Sequence, residues 1–142
     1  MITFEPPNGA LSDSEIVEAE HKLGHRLPDA FRRVLLKTGG GSLASNVVVP
    51  GSAGSAILTR IFGLEQLIYL QRQGFNEVVP HEYLVVGDGG GGGLCLKISG
   101  SDEGSVWWAD YDLAEELDAD EPTEKIMSRL ADNFGTFARA VG

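Results

Sequence analysis

Apolar residues recur along this chain with two periods, one helical and one strand-like, and the changes between them mark its elements. Between Ser12 and Gly24, Ile16, Ala19 and Leu23 return at helical spacing and predict a helix with one inward face. Ser12 and Glu15 form an S-x-x-E capping box, Leu11 and Ile16 stand where a hydrophobic staple closes, and Gly24 is placed to stop the helix in a left-handed conformation. Leu27-Pro28-Asp29 restarts the chain, with proline near a first helical turn. A second helix then turns Phe31, Val34 and Leu35 inward and ends at Gly39-Gly40-Gly41.

The pattern next shifts toward strands. Val47-Val48-Val49 is a β-branched run closed by Pro50-Gly51-Ser52, and after a Gly/Ser loop Ala56 to Phe62 reads as a second strand. Leu64, Leu67, Ile68 and Gln71 mark a helix that Gly74 ends. Tyr83 to Gly87, Leu94 to Ser99 and Ser105 to Trp108 follow as a three-strand meander, with a turn at Gly100 to Gly104. Beyond an acidic connection, Pro122 and Thr123 open a last helix whose apolar positions, Ile126, Leu130, Phe134, Phe137 and Val141, are spaced as a helix docked on a sheet requires. Helices grouped around a central run of strands predict an α+β fold, a central antiparallel sheet with flanking helices in one domain over residues 1–142. A chain of 142 residues is long enough to bury a core without disulfide or metal staples.

Within the meander, Gly87 to Gly92 formally satisfies the G-x-G-x-x-G pattern, and Asp110 and Asp112 lie about where a ribose-binding acid would follow. A phosphate loop, however, needs a helix immediately after it, so that the helix dipole adds to the bare backbone N–H groups. Here Leu94 to Ser99 continues as a strand, and no Gly-Lys-Ser/Thr closes the run. The glycines therefore read as a flexible connection between strands, with a small-molecule or nucleotide site at Gly87 to Gly93 as the alternative.

Charge narrows the choice of partner. The net charge of −10 disfavours nucleic acid, whose binding rests on neutralising phosphates. Residues 101–124 contain no Lys, Arg or His, while Asp102, Glu103, Asp110, Asp112, Glu115, Glu116, Asp118, Asp120, Glu121 and Glu124 crowd that stretch. Such a face either keeps the protein solvated or steers a basic partner. With no apolar run of membrane-spanning length, no signal-peptide pattern and a single cysteine, the expected location is cytoplasmic.

Candidate chemistry is sparse. His21 and His25 are four apart, but Lys22 stands where a metalloprotease has glutamate and Gly24 breaks the helix between them. Cys95 with His81 would suit a cysteine hydrolase, yet Cys95 between Leu94 and Leu96 reads as a small core residue. Asp110 and Asp112 share a face if the strand continues, though they lack the further ligands of a calcium loop. No catalytic residue, metal or cofactor is expected. Trp107 and Trp108 point to opposite faces of their strand, so one enters the core and the other either anchors an interface or is buried in turn beneath a helix.

The order of these motifs resembles a known family. Ile16 to Phe31, I-V-E-A-E-H-K-L-G-H-R-L-P-D-A-F, is similar to the opening of the SUKH superfamily of Smi/Knr-like proteins, whose first helix ends in E-x-x-L-G followed by L-P and an aromatic. Gly39-Gly40-Gly41, the strand and glycines from Tyr83 to Gly92, Val106 to Asp110, and Ala131 to Phe137 match its later segments in order. Asn133 stands where the family usually has serine or threonine, and the glycine run is longer than its common form. The resemblance implies an α+β protein-binding module without catalytic residues. Bacterial members are commonly immunity proteins that neutralise toxins, often nucleases or deaminases, and fungal members are linked to regulation of cell-wall glucan synthesis. It follows that a basic protein such as a toxin domain is the expected partner, with a regulatory scaffold as the alternative role. The surface expected to meet it comprises Asp102, Glu103, Trp108, Asp110 and Asp112.

Overall fold

The computed structural model describes residues 2–51, 54–73 and 77–141. A short strand, β1 (Phe4–Pro7), precedes the first helix. Helix α1 (Asp13–Leu23) begins with the expected capping box, the Glu15 N–H donating to Ser12 Oγ at 3.2 Å and the Ser12 N–H to Glu15 Oε1 at 3.1 Å. Gly24, at φ +78°, ends it. Helix α2 (Asp29–Thr38) buries Phe31 and Leu35 and stops at a left-handed Gly39. Glu20 ties the two helices together, accepting the Leu27 N–H at 2.6 Å and both arms of the Arg32 guanidinium at 3.2 Å. That clamp explains why a glutamate near the end of one helix goes with the Leu-Pro that starts the next.

Strands β2 (Gly41–Gly51) and β3 (Gly54–Ile61) form a long hairpin, followed by α3 (Leu64–Gln73). Ser52 and Ala53 of the expected Gly/Ser loop, and Gly74 as the expected end of α3, lie outside the described residues. Strands β4 (Tyr83–Gly90), β5 (Gly92–Lys97) and β6 (Val106–Asp110) are the expected meander. A short helix, α4 (Tyr111–Glu116), follows in the acidic connection, and a single 3₁₀ turn (Glu124–Ile126) leads into β7 (Met127–Ala131) and α5 (Phe134–Ala140).

All seven strands belong to one antiparallel sheet in which spatial order equals chain order, β1 to β7. This is the expected α+β architecture. Contacts of β2 with β6 and β7 show that the sheet curls on itself. Helix α1 packs on α2 and α3, and α2 on α5. The edge-on contact of the Phe31 and Phe134 rings, 5.1 Å between centroids, joins α2 to α5 at the core.

The last helix differs from the expectation. Ile126, Leu130 and Phe134 have helical spacing but fall in the 3₁₀ turn, in β7 and in α5 respectively. The helix starts instead at Asn133, whose Oδ1 accepts the Thr136 N–H at 2.8 Å. An asparagine caps as well as the serine or threonine it replaces.

Candidate functional site

The glycine run is a seat for the acidic segment. Gly87, Gly89, Gly92 and Gly93 are all paired strand positions, which corrects the expectation of a flexible connection. Only Gly91, at φ +79°, forms the tight turn. Its carbonyl accepts the Tyr111 N–H at 2.8 Å and the Asp112 N–H at 3.3 Å, which fixes the start of α4. The lack of side chains permits three close approaches. A Cβ on Gly89 would overlap the Ile57 carbonyl, one on Gly92 would lie 2.6 Å from Trp108 Nε1, and one on Gly93 would lie 2.6 Å from Tyr111 Oη. No helix follows the run, so the geometry of a phosphate loop is missing.

From this seat the chain crosses the sheet face that carries Gly93, Cys95 and Trp107. Asp110 caps α4 by accepting the Leu113 N–H at 3.0 Å. Further on, the Thr123 N–H donates to the Val78 carbonyl at 3.1 Å, and Tyr83 Oη donates to the Glu124 carboxylate at 3.0 Å. Ala114 and Ile126 are buried beneath. The charges point the other way: Asp112, Glu115, Glu116, Asp118, Asp120, Glu121 and Glu124 are exposed. None of them forms an ion pair among the described residues. The acidic stretch is thus a cover, apolar below and anionic above. Tyr111 Oη lies buried under it without a hydrogen-bond partner among the described residues, and burial raises its pKa.

The five residues expected to form the binding surface are divided by this arrangement. Glu103 and Asp112 are exposed. Trp108 is 1 % exposed and Asp110 7 %, because the register turns both inward with Leu94 and Gly92, so neither presents itself to a partner. The carboxylates of Asp110 and Asp112 do not share a strand face, since β6 ends at Asp110 and Asp112 belongs to α4. Asp102 has its charge offset by Lys97 Nζ at 3.2 Å and Arg129 Nη1 at 3.4 Å. Desolvation pushes its carboxyl up, but the hydrogen bond from Lys97 and the two cations outweigh that and hold it below the ordinary range.

Trp107 is the outward member of the tryptophan pair, and it is occupied. Lys97 and Arg129 lie over its ring at 5.6 and 5.8 Å, Tyr83 meets it edge-on at 5.3 Å, and its indole N–H donates to Ser105 Oγ at 2.8 Å. Strand alternation shows that the two rings diverge. Only the paired cations, brought in from β5 and β7, show which one they cover.

The remaining chemical candidates do not assemble. Cys95 is fully buried and burial pushes its thiol pKa up, whereas His81 is exposed in the turn before β4. His21 and His25 are exposed on either side of the Gly24 cap, and no metal-binding group of His, Cys, Asp and Glu occurs among the described residues. No described helix is long and apolar enough to cross a membrane.

A family model described as SMI1 / KNR4 family (SUKH-1) matches residues 10–140, nearly the whole chain. The chain belongs to the SMI1/KNR4 family. No curated protein matches it. Membership in SUKH-1 supports a non-catalytic immunity or regulatory module at the level of the family. Within the SMI1/KNR4 match lie the capped α1, the Glu20 clamp, the glycine seat and the acidic cover.

Proposed function

We propose that this SUKH-1 protein is an immunity protein that neutralises a basic toxin domain through its acidic cover. The observation that supports this reading is the row of seven exposed carboxylates from Asp112 to Glu124, none paired with a cation among the described residues. Unpaired surface charge of one sign contributes little to folding and much to the rate of capturing an oppositely charged protein. Toxins that act on nucleic acids carry basic surfaces and would be met by this face. Glu103 and Asp112 remain in the surface, Asp102 belongs to its paired margin, Asp110 caps the helix that begins the cover, and Trp108 is buried on the other face of the sheet.

The test is stopped-flow association with a basic toxin domain encoded beside the gene, together with the toxin's residual activity. Stoichiometric inhibition is expected, with an association rate that falls steeply with salt and drops about tenfold or more when Asp112, Glu115 and Glu116 are changed to Lys. Salt-independent association, or a triple variant that binds as fast as the parent, would remove the cover from the interface. Capture without inhibition would favour the regulatory role.

A further inference from the structure

We propose that the cleft between β1, α2 and α5 binds a small amphipathic anion, an acidic head on an apolar body. Six of the cations are paired: Lys22, Arg26, Arg32, Arg60, Lys97 and Arg129 each meet a carboxylate. Arg33, Lys37, Lys125 and Arg139 do not, among the described residues, although acids outnumber bases 21 to 11 in the chain. Three of these four cations, Arg33, Lys37 and Arg139, line one cleft of about 520 Å³, and no Asp or Glu lines it with them. Scattered surface charge in so acidic a protein would not be expected to leave three unpaired cations around one hollow.

The rest of the lining suits an apolar body. Half-buried Phe4, Val34 and Ala138 face the hollow from the strand and the two helices. Its size falls within the roughly 300–1,000 Å³ of small-ligand pockets, which combine apolar walls with a few polar groups that orient the ligand. Arg33 and Lys37 are one helical turn apart on α2 and so share a face, with Arg139 on the neighbouring α5. The Ile2 N–H donates to the Ala138 carbonyl at 3.0 Å and joins the two walls, so the hollow is a short cleft, better matched to a small molecule than to a helix of a partner protein. Asp29 and Glu103 line the adjoining hollow that shares Arg33 and Arg139, and neither pairs with them.

Lys37 and Arg139 also stand in the last turns of their helices, where a cation is favoured by the helix dipole. A purely structural role would show as a change in stability, and a ligand site as a change in binding. The experiment is titration calorimetry of the full chain with octyl phosphate and octanoate, with octanol and inorganic phosphate as controls. Saturable binding of one anion per chain is expected, weakened about tenfold or more in R33Q/K37Q/R139Q at unchanged melting temperature. Octanol binding as tightly as octanoate, inorganic phosphate binding as tightly as octyl phosphate, a variant that binds like the parent, or no saturable binding would each overturn the proposal. Saturation by an acidic amphipathic peptide alone would overturn it in favour of a protein partner. The site is independent of the acidic cover, and the triple Lys variant of the cover should bind octyl phosphate normally.

Discussion

The acidic cover and the basic cleft solve opposite problems with the same device, charge left unpaired. On the cover, seven carboxylates face solvent, dispersed along a stretch of chain without a cation. In the cleft, three cations converge on one hollow without a carboxylate in its lining. Dispersed charge suits the long-range attraction of a large partner, whereas converging charge over apolar walls suits short-range recognition of a small one. The difference extends to the foundations. The cover begins at strand glycines, Gly92 and Gly93, where a Cβ would collide with Trp108 and Tyr111, and the cleft rests on helices packed in the ordinary way.

Foundations are where the comparison breaks most easily. A Cβ at Gly92 would meet the Ala109 carbonyl and the Trp108 indole, so Gly92→Ala should cost about 2–4 kcal/mol in urea unfolding. At the cleft side, the nearest atom to a Cβ on Gly135 is Asn133 Oδ1 at 3.2 Å, and Gly135→Ala should change stability by less than about 1 kcal/mol. Equal costs would show that the glycine run is not a special seat. Next comes D112K/E115K/E116K, which should slow capture of a basic toxin domain about tenfold, equivalent to about 1.4 kcal/mol, with little change in melting temperature. Asp110→Ala removes the α4 cap and should cost about 1 kcal/mol, and Asp110→Asn less, because asparagine caps nearly as well.

The smallest effect is expected at Asp102, and it concerns pH. Its carboxyl is held below its ordinary pKa when folded, so its contribution is present above the unfolded pKa and is lost as pH falls through the folded one. Asp102→Asn should therefore flatten the acid limb of the stability profile and leave the neutral region nearly unchanged. An unchanged acid limb would show that the Lys97 and Arg129 pairings carry no net stability.

What could be read from the residues was whatever has a local cause. The Ser12 capping box, the left-handed Gly24 and Gly39 and the meander all depend on neighbours in sequence. The errors share one origin, which is that pattern cannot see which partner covers a side chain. Leu130 has helical spacing to Ile126 and Phe134, but strand β6 was free to pair with Met127 to Ala131 and did so. Asn133-x-x-Thr136 and Asp110-x-x-Leu113 were the available signals, since each is a capping pattern that starts a helix where spacing alone did not. β1 was invisible because four mostly exposed residues with two prolines carry almost no strand signal. At the site, the acidic run was evident, but its outer and inner sides were not. Trp108 and Asp110 looked like contact residues only because the register that buries them is set by β5.

The strand order has a further consequence. Because the sheet runs from β1 to β7 without a crossover, each strand can be laid against the one just completed, and no segment has to be inserted between strands already joined. The connections β2–β3, β4–β5 and β5–β6 are short, so the entropy of closing them is low, whereas β1–β2, β3–β4 and β6–β7 are joined through longer segments that carry the helices. Sheet formation can then proceed like a zip from any hairpin outward, and the site where the cover is seated, between β4, β5 and β6, lies near the middle of that zip, protected from fraying at either edge.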